Sequence, residues 1–242
     1  KDINTGSAGS VPQLLTTAGS TLFFRADDGL NGDELWKSDG TAVGTAIVKD
    51  IQPGTLGADV ADLTEVAGTL FFTASDGSHG IELWKSNGTD AGTSIVKDIA
   101  VGDADSSPLF LTNSSGTLFF NATDGTNGYE LWKSDGTEPG TSIVKDINPG
   151  SADSYPQNLI SMDGILYFSA AETTNGRELW RSDGTTSGTT LVLDIRTGSA
   201  DSSMQYPAVL GGRLCFNAND GAHGAELWIS DGTPGGTALL KD

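Results

Sequence analysis

Acidic side chains at fixed spacing are the residues here most able to do chemistry. Asp28, Asp76, Asp124 and Asp220 each precede a glycine in a short polar loop. Asp105, Asp153 and Asp201 recur in a second kind of polar segment, again at a spacing of 48 residues. Carboxylates crowded onto one face repel one another unless something neutralises them, and a hard cation with oxygen ligands is the usual answer. These seven aspartates are therefore the candidate metal ligands, with loop carbonyls completing the shell and Ca²⁺ the expected ion. No contiguous Asp-x-Asp-x-Asp loop of the EF-hand kind is present. The histidines, His79 and His223, lie three repeats apart in a slot filled elsewhere by Asn31, Asn127 and Asn175. That substitution pattern suits a loop position tolerant of unusual backbone angles better than a metal site.

Catalytic chemistry is harder to find. Hydrolysis of a glycosidic bond needs two carboxyl groups flanking it. The strands that would line a central cavity offer only Asp62 and Glu65, both in one repeat. There is no Ser-His-Asp set and no Cys-His pair to activate a nucleophile. The sequence reads as a non-enzymatic chain.

What must position these residues is a repeat. Asp2, Asp50, Asp98, Asp146, Asp194 and Asp242 are each separated by 48 residues. Lysine precedes five of the six, and Leu193 precedes the other. A fixed period of this size fixes the architecture first, and it weakens enzyme readings, because an active site is one asymmetric constellation. Residues 3–50, 51–98, 99–146, 147–194 and 195–242 are then five copies of one unit in a single domain. Within residues 3–50, four short runs rich in β-branched and aromatic residues lie between Gly, Asp and Asn turns: Pro12–Thr17, Thr21–Ala26, Glu34–Ser38 and Thr45–Lys49. That is a strand signature, and no helical period survives the glycine spacing. Four antiparallel strands per 48 residues, five times over, predict an all-β, five-bladed β-propeller.

The second strand is apolar on both faces, as expected of a sheet sandwiched between neighbours. The lysines closing each unit suit an outer edge that must not pair with other chains. Trp36, Trp84, Trp132, Trp180 and Trp228 sit mid-strand, which favours packing over sugar stacking. The Asp39-Gly40-Thr41 turn and its copies are expected to satisfy their own backbone. Cys215, the lone cysteine, occupies an aromatic slot (Phe23, Phe71, Phe119, Tyr167) and is expected to be a buried thiol. The units begin and end at the same point, so the fifth is expected to close against the first by side-chain packing, without strand exchange. Turns 1–2 and 3–4 of each blade should then lie on one face. The 2–3 loops and interblade connections, with the aspartates named above, should lie on the other.

The segment Glu34-Leu35-Trp36-Lys37-Ser38-Asp39-Gly40-Thr41 recurs at 82–89, 130–137, 178–185 and 226–233. It resembles the ELWxxDGT repeat family of bacterial proteins across the whole chain, with local departures such as Asn87 for Asp, Ile229 for Lys and Glu172-Thr173 for Asp-Gly. The resemblance implies a secreted or surface-exposed repeat protein and leaves the biochemical role open. The net charge of −19 argues against nucleic acid, which needs a basic surface. No apolar run approaches the length of a membrane span. The chain opens on Lys, which fits a processed or excised form. The functional expectation is an extracellular, lectin-like module recognising carbohydrate or another cell-surface ligand. The alternative is a self-assembling unit of a matrix, surface layer or filament.

Overall fold

The computed structural model describes every residue from Lys1 to Asp242. Blade one contains β1 (Gln13–Ala18), β2 (Thr21–Asp27), β3 (Asp33–Ser38) and β4 (Ala46–Lys49). Blade two holds β5 (Ala61–Val66), β6 (Thr69–Ser75), β7 (Ile81–Ser86) and β8 (Ser94–Lys97). Blade three holds β9 (Leu109–Ser114), β10 (Thr117–Thr123), β11 (Tyr129–Ser134) and β12 (Ser142–Lys145). Blade four holds β13 (Gln157–Met162), β14 (Ile165–Glu172), β15 (Gly176–Ser182) and β16 (Thr190–Leu193). Blade five holds β17 (Gln205–Leu210), β18 (Arg213–Asn219), β19 (Ala225–Ser230) and β20 (Ala238–Lys241). Each blade is a four-stranded antiparallel meander in chain order, so the chain is an all-β, five-bladed β-propeller.

The core lies in the seams between blades. Phe23, Leu35, Val48 and Ile51 of one side meet Leu70, Phe72, Ala74 and Trp84 of the next. Equivalent residues form the following three seams. Each large apolar side chain buried there contributes about 1.5–3 kcal/mol. The tryptophans are packing residues, as their mid-strand position predicts: all five are no more than 7% exposed.

The closing lysines lie on the outer edge strands of their blades, as expected, and have a second role. Lys49, Lys97 and Lys145 reach across the seam and donate to the carbonyls of Thr93, Thr141 and Thr189. Lys97 and Lys145 also lie over the rings of Trp132 and Trp180 at 5.9 and 5.5 Å. They are seam ties, and the charges of Lys97 and Lys145 face an aromatic π-cloud.

Ring closure departs from the expectation. Leu35, Leu83, Leu131 and Leu179 are fully buried, whereas Leu227 at the same position is 48% exposed. Leu210 and Leu240 are 72% and 52% exposed, although their counterparts Val66, Met162, Val48 and Val96 are buried. Cys215 is partly exposed on this same face, where Phe23, Phe71, Phe119 and Tyr167 are buried. Phe24, Ala26 and Trp36 of blade one pack within their own blade and on Ile3, with nothing from blade five. The physical reason is visible in the residues. Lys37, Lys85, Lys133 and Arg181 donate across their seams to glycine carbonyls, and Ile229 cannot. Four seams are packed and the fifth is open.

Candidate functional site

The Asp-Gly-Thr turns occupy one face and are internally complete. Asp135 Oδ1 accepts from the N–H and Oγ1 of Thr137, Gly140 N donates to Thr137 Oγ1, and Ser134 and Thr141 share a hydroxyl bond. These bonds hold the Asp135 carboxyl below its ordinary pKa, with the Thr137 hydroxyl the largest cause. A methyl on Gly140 would fall on Asp135 Oδ1, which is why glycine stands there. This turn is scaffold.

The opposite face carries the 2–3 loops and the connections, as the sequence predicts, but its seven predicted ligands are not brought together. Asp28 Oδ1 accepts from Leu30 N and Asn31 N, and its Oδ2 takes the Asn31 amide. Asp76, Asp124 and Asp220 repeat this with Ser78–His79, Thr126–Asn127 and Ala222–His223. Asp105, Asp153 and Asp201 each accept one backbone N–H from the start of strand three in the preceding blade: Ile81, Tyr129 and Arg177, at 2.7–2.8 Å. No group of three His, Cys, Asp or Glu side chains surrounds a common point. The carboxylates accept amide hydrogens and shape their loops.

The histidines are explained by the same bonds and not by unusual backbone angles. His79 Nδ1 lies 2.8 Å from Asp76 Oδ2, and His223 Nδ1 lies 2.7 Å from Asp220 Oδ2, where asparagine places its amide in other blades. These bonds raise both histidine pKa values and pull Asp220 down to about 2.

The glutamates that open the Glu-Leu-Trp segments are the clasps of this face. Glu130 is fully buried and accepts from Ile147 N, Asn148 N, Ser154 N and Ser154 Oγ. Glu82 does the same with Ile99, Ala100 and Ser106. Glu34 and Glu178 follow with Ile51 and Ile195. Each glutamate thus ties strand three to the connection leading into the next blade. Burial pushes Glu34, Glu130 and Glu178 up to about 7, opposed by the donors around them. The signal was available: Glu82, Glu130 and Glu178 are each followed 24 positions later by a serine.

At the inner rim of this face every first strand starts with a bulge. Its central residue is Leu14, Asp62, Phe110, Asn158 or Tyr206, always at φ between 51 and 60°. A second left-handed residue precedes each: Val11, Asp59, Ser107, Tyr155 and Ser203. Left-handed backbone is costly for bulky side chains, and such conformations concentrate at functional sites. Leu14, Phe110, Tyr155 and Tyr206 are all well exposed. A repeated frame thus presents a different side chain from each blade, exposed at Leu14, Phe110 and Tyr206 and half-buried at Asp62 and Asn158. Asp62, a candidate acid in the sequence, lies in this rim with its pKa raised by burial. Glu65 lies at the far end of β5, where it accepts from Gly68 N, so the two do not form a pair.

No protein-family model and no curated protein matches the chain. Solved structures do. A puromycin hydrolase (S511A mutant complexed with PGG) superposes with a TM-score of 0.55 at 14% identity, over 100% of this chain and 40% of that one. TolB from Acinetobacter baumannii gives a TM-score of 0.48 at 13% identity, over 90% of this chain and 50% of that one. The chain thus spans less than half the length of the hydrolase, and the likeness concerns the propeller fold alone.

Proposed function

We propose that this protein is a non-enzymatic extracellular recognition module, taking carbohydrate or another surface ligand on the connection face. One observation carries this reading: the bulge at the head of each inner strand holds a different residue on an otherwise repeated frame, and Leu14, Phe110 and Tyr206 expose theirs. Rigid repeats with varied exposed positions make extended binding surfaces. Several weak contacts on one rigid face add by avidity. The resemblance to ELWxxDGT repeat proteins supports placement outside the cell. No helix is long and apolar enough to cross a membrane. A glycan and cell-envelope binding screen against the native chain and a Phe110→Ser/Tyr155→Ser/Tyr206→Ser variant tests this. Binding of any surface glycan that the variant loses is the expected result. Equal binding by both proteins would move the site off the inner rim.

A second reading, a unit of a matrix, surface layer or filament, is favoured by the open seam. Leu227, Leu240 and Leu210 leave an apolar face on blade five. Exposed contiguous apolar surface marks interaction sites. Sedimentation velocity across a hundred-fold concentration range decides it: concentration-dependent assembly supports the structural reading, and a constant monomer removes it.

A further inference from the structure

The five blades are not equivalent where a blade's third strand meets the connection that follows it. The facing residues are Asp33 and Asp59 at the first seam, Ile81 and Ser107 at the second, Tyr129 and Tyr155 at the third, Arg177 and Ser203 at the fourth. Only the third seam pairs two aromatic rings. Their centroids lie 5.0 Å apart and their planes meet at 14°, a stacked pair.

We propose that this third seam is a sugar-ring platform: Tyr155 stacks the apolar face of a neutral pyranose, Tyr129 backs it, and Asp153 and Arg177 meet hydroxyls at its edge. The proposal rests on the carbohydrate-recognition reading above and names the place and the ligand class.

The platform is preorganised. Tyr155 N donates to Tyr129 O at 3.0 Å, and Arg177 Nη1 donates to Tyr155 O at 2.7 Å, so the backbone of Tyr155 is held from both neighbouring blades. Tyr155 takes φ of 43°, a conformation a bulky residue adopts only when its surroundings impose it. The ring is 39% exposed even so. Tyr129 N in turn donates to Asp153 Oδ1 at 2.8 Å, which fixes that carboxylate beside the rings. Burial and the Asp153 charge both raise the Tyr155 hydroxyl above its usual pKa.

Pyranose rings have one face of C–H groups and a rim of hydroxyls. An aromatic face suits the first, while a carboxylate acceptor and a guanidinium donor suit the second. None of the concave pockets of the protein includes Tyr129, Tyr155 or Arg177. The platform is open, which fits an internal unit of a glycan chain better than an enclosed small molecule. The net charge of −19 disfavours a polyanionic glycan, so the ligand is a neutral one.

Isothermal titration of the 242-residue chain with cellotetraose, mannotetraose and chitotetraose, with tetragalacturonate as the charged control, tests the proposal. At least one neutral tetrasaccharide should bind, and the galacturonate should not. Tyr155→Ser should weaken that binding about ten-fold or more, and Tyr155→Phe by less than about three-fold. Serine already occupies this position at Ser107 and Ser203, so the variant should fold, and an unchanged melting temperature will show it. Binding unaffected by Tyr155→Ser but lost in Phe110→Ser or Tyr206→Ser overturns the platform and leaves carbohydrate recognition standing. Preference for the galacturonate overturns the assignment of a neutral ligand. If none of the four probes binds at millimolar concentration, both the platform and the carbohydrate reading fall.

Discussion

Replacing Glu130 is the most informative perturbation of this fold. Its carboxylate accepts from Ile147 N at 2.9 Å, Ser154 N at 3.1 Å, Asn148 N at 3.3 Å and Ser154 Oγ at 2.6 Å. Ile147 and Ser154 are themselves buried. Glu130→Ala leaves the buried Ile147 N–H without an acceptor, at about 1–3 kcal/mol. Ser154 N and Oγ both retain Tyr129 O as a partner, so they add little. The expected loss is about 1–3 kcal/mol, a sizeable share of a domain stability of about 5–15 kcal/mol. Urea denaturation reads it directly. Glu130→Gln keeps the shape and one acceptor, and it removes the proton equilibrium. Burial raises the folded-state pKa to about 7, above an ordinary value of 4.5. The native state therefore binds more protons than the unfolded chain between those values. The stability this group contributes is complete below about pH 4.5 and is lost as pH climbs through about 7. The gap between wild type and Glu130→Gln should thus narrow from pH 5 to pH 8. A Glu130→Ala cost below about 1 kcal/mol would refute the clasp. A gap that is constant or widens with pH would show that the four donors outweigh burial and keep the carboxylate ionised throughout.

Four further outcomes follow from the same structure. Cys215 should react with a disulfide reagent in the folded protein at a rate within about ten-fold of the unfolded chain, because its face is uncovered; full protection would mean that the fifth seam closes. Gly140→Ala should lower stability by about 1–3 kcal/mol in thermal melts, since the methyl must displace Asp135 from Thr137. EDTA should leave the melting temperature unchanged, because the loop aspartates already accept amide hydrogens; a drop of several degrees would restore a structural cation. Trp132→Ala should cost about 3–5 kcal/mol by urea denaturation, as a buried seam residue; a near-neutral effect would contradict its packing role.

Much of this fold was legible because one period organises it. The strands, the blade count, the sorting of loops between faces and the packing role of Trp36 and its copies all follow from residue spacing. What was not legible has specific causes. Asp28 and Asp105 were visible as carboxylates, but nothing in their spacing says that backbone amides already fill their lone pairs. The bulges were hidden because Leu14, Phe110 and Tyr206 take a left-handed backbone that sequence patterns assign to glycine. Lys49 is visible as an edge residue, but the Thr93 carbonyl it reaches belongs to the next blade. The open seam escaped notice because repeats of one motif look alike even when Ile229 and Cys215 replace the residues that would bridge it.

The glutamate clasp also makes neighbouring units depend on one another. Glu130 draws its donors from residues 17–24 positions further along the chain. Glu34, Glu82 and Glu178 do likewise, so the third strands of blades one to four are each anchored by the connection that follows them and not by their own sheet alone.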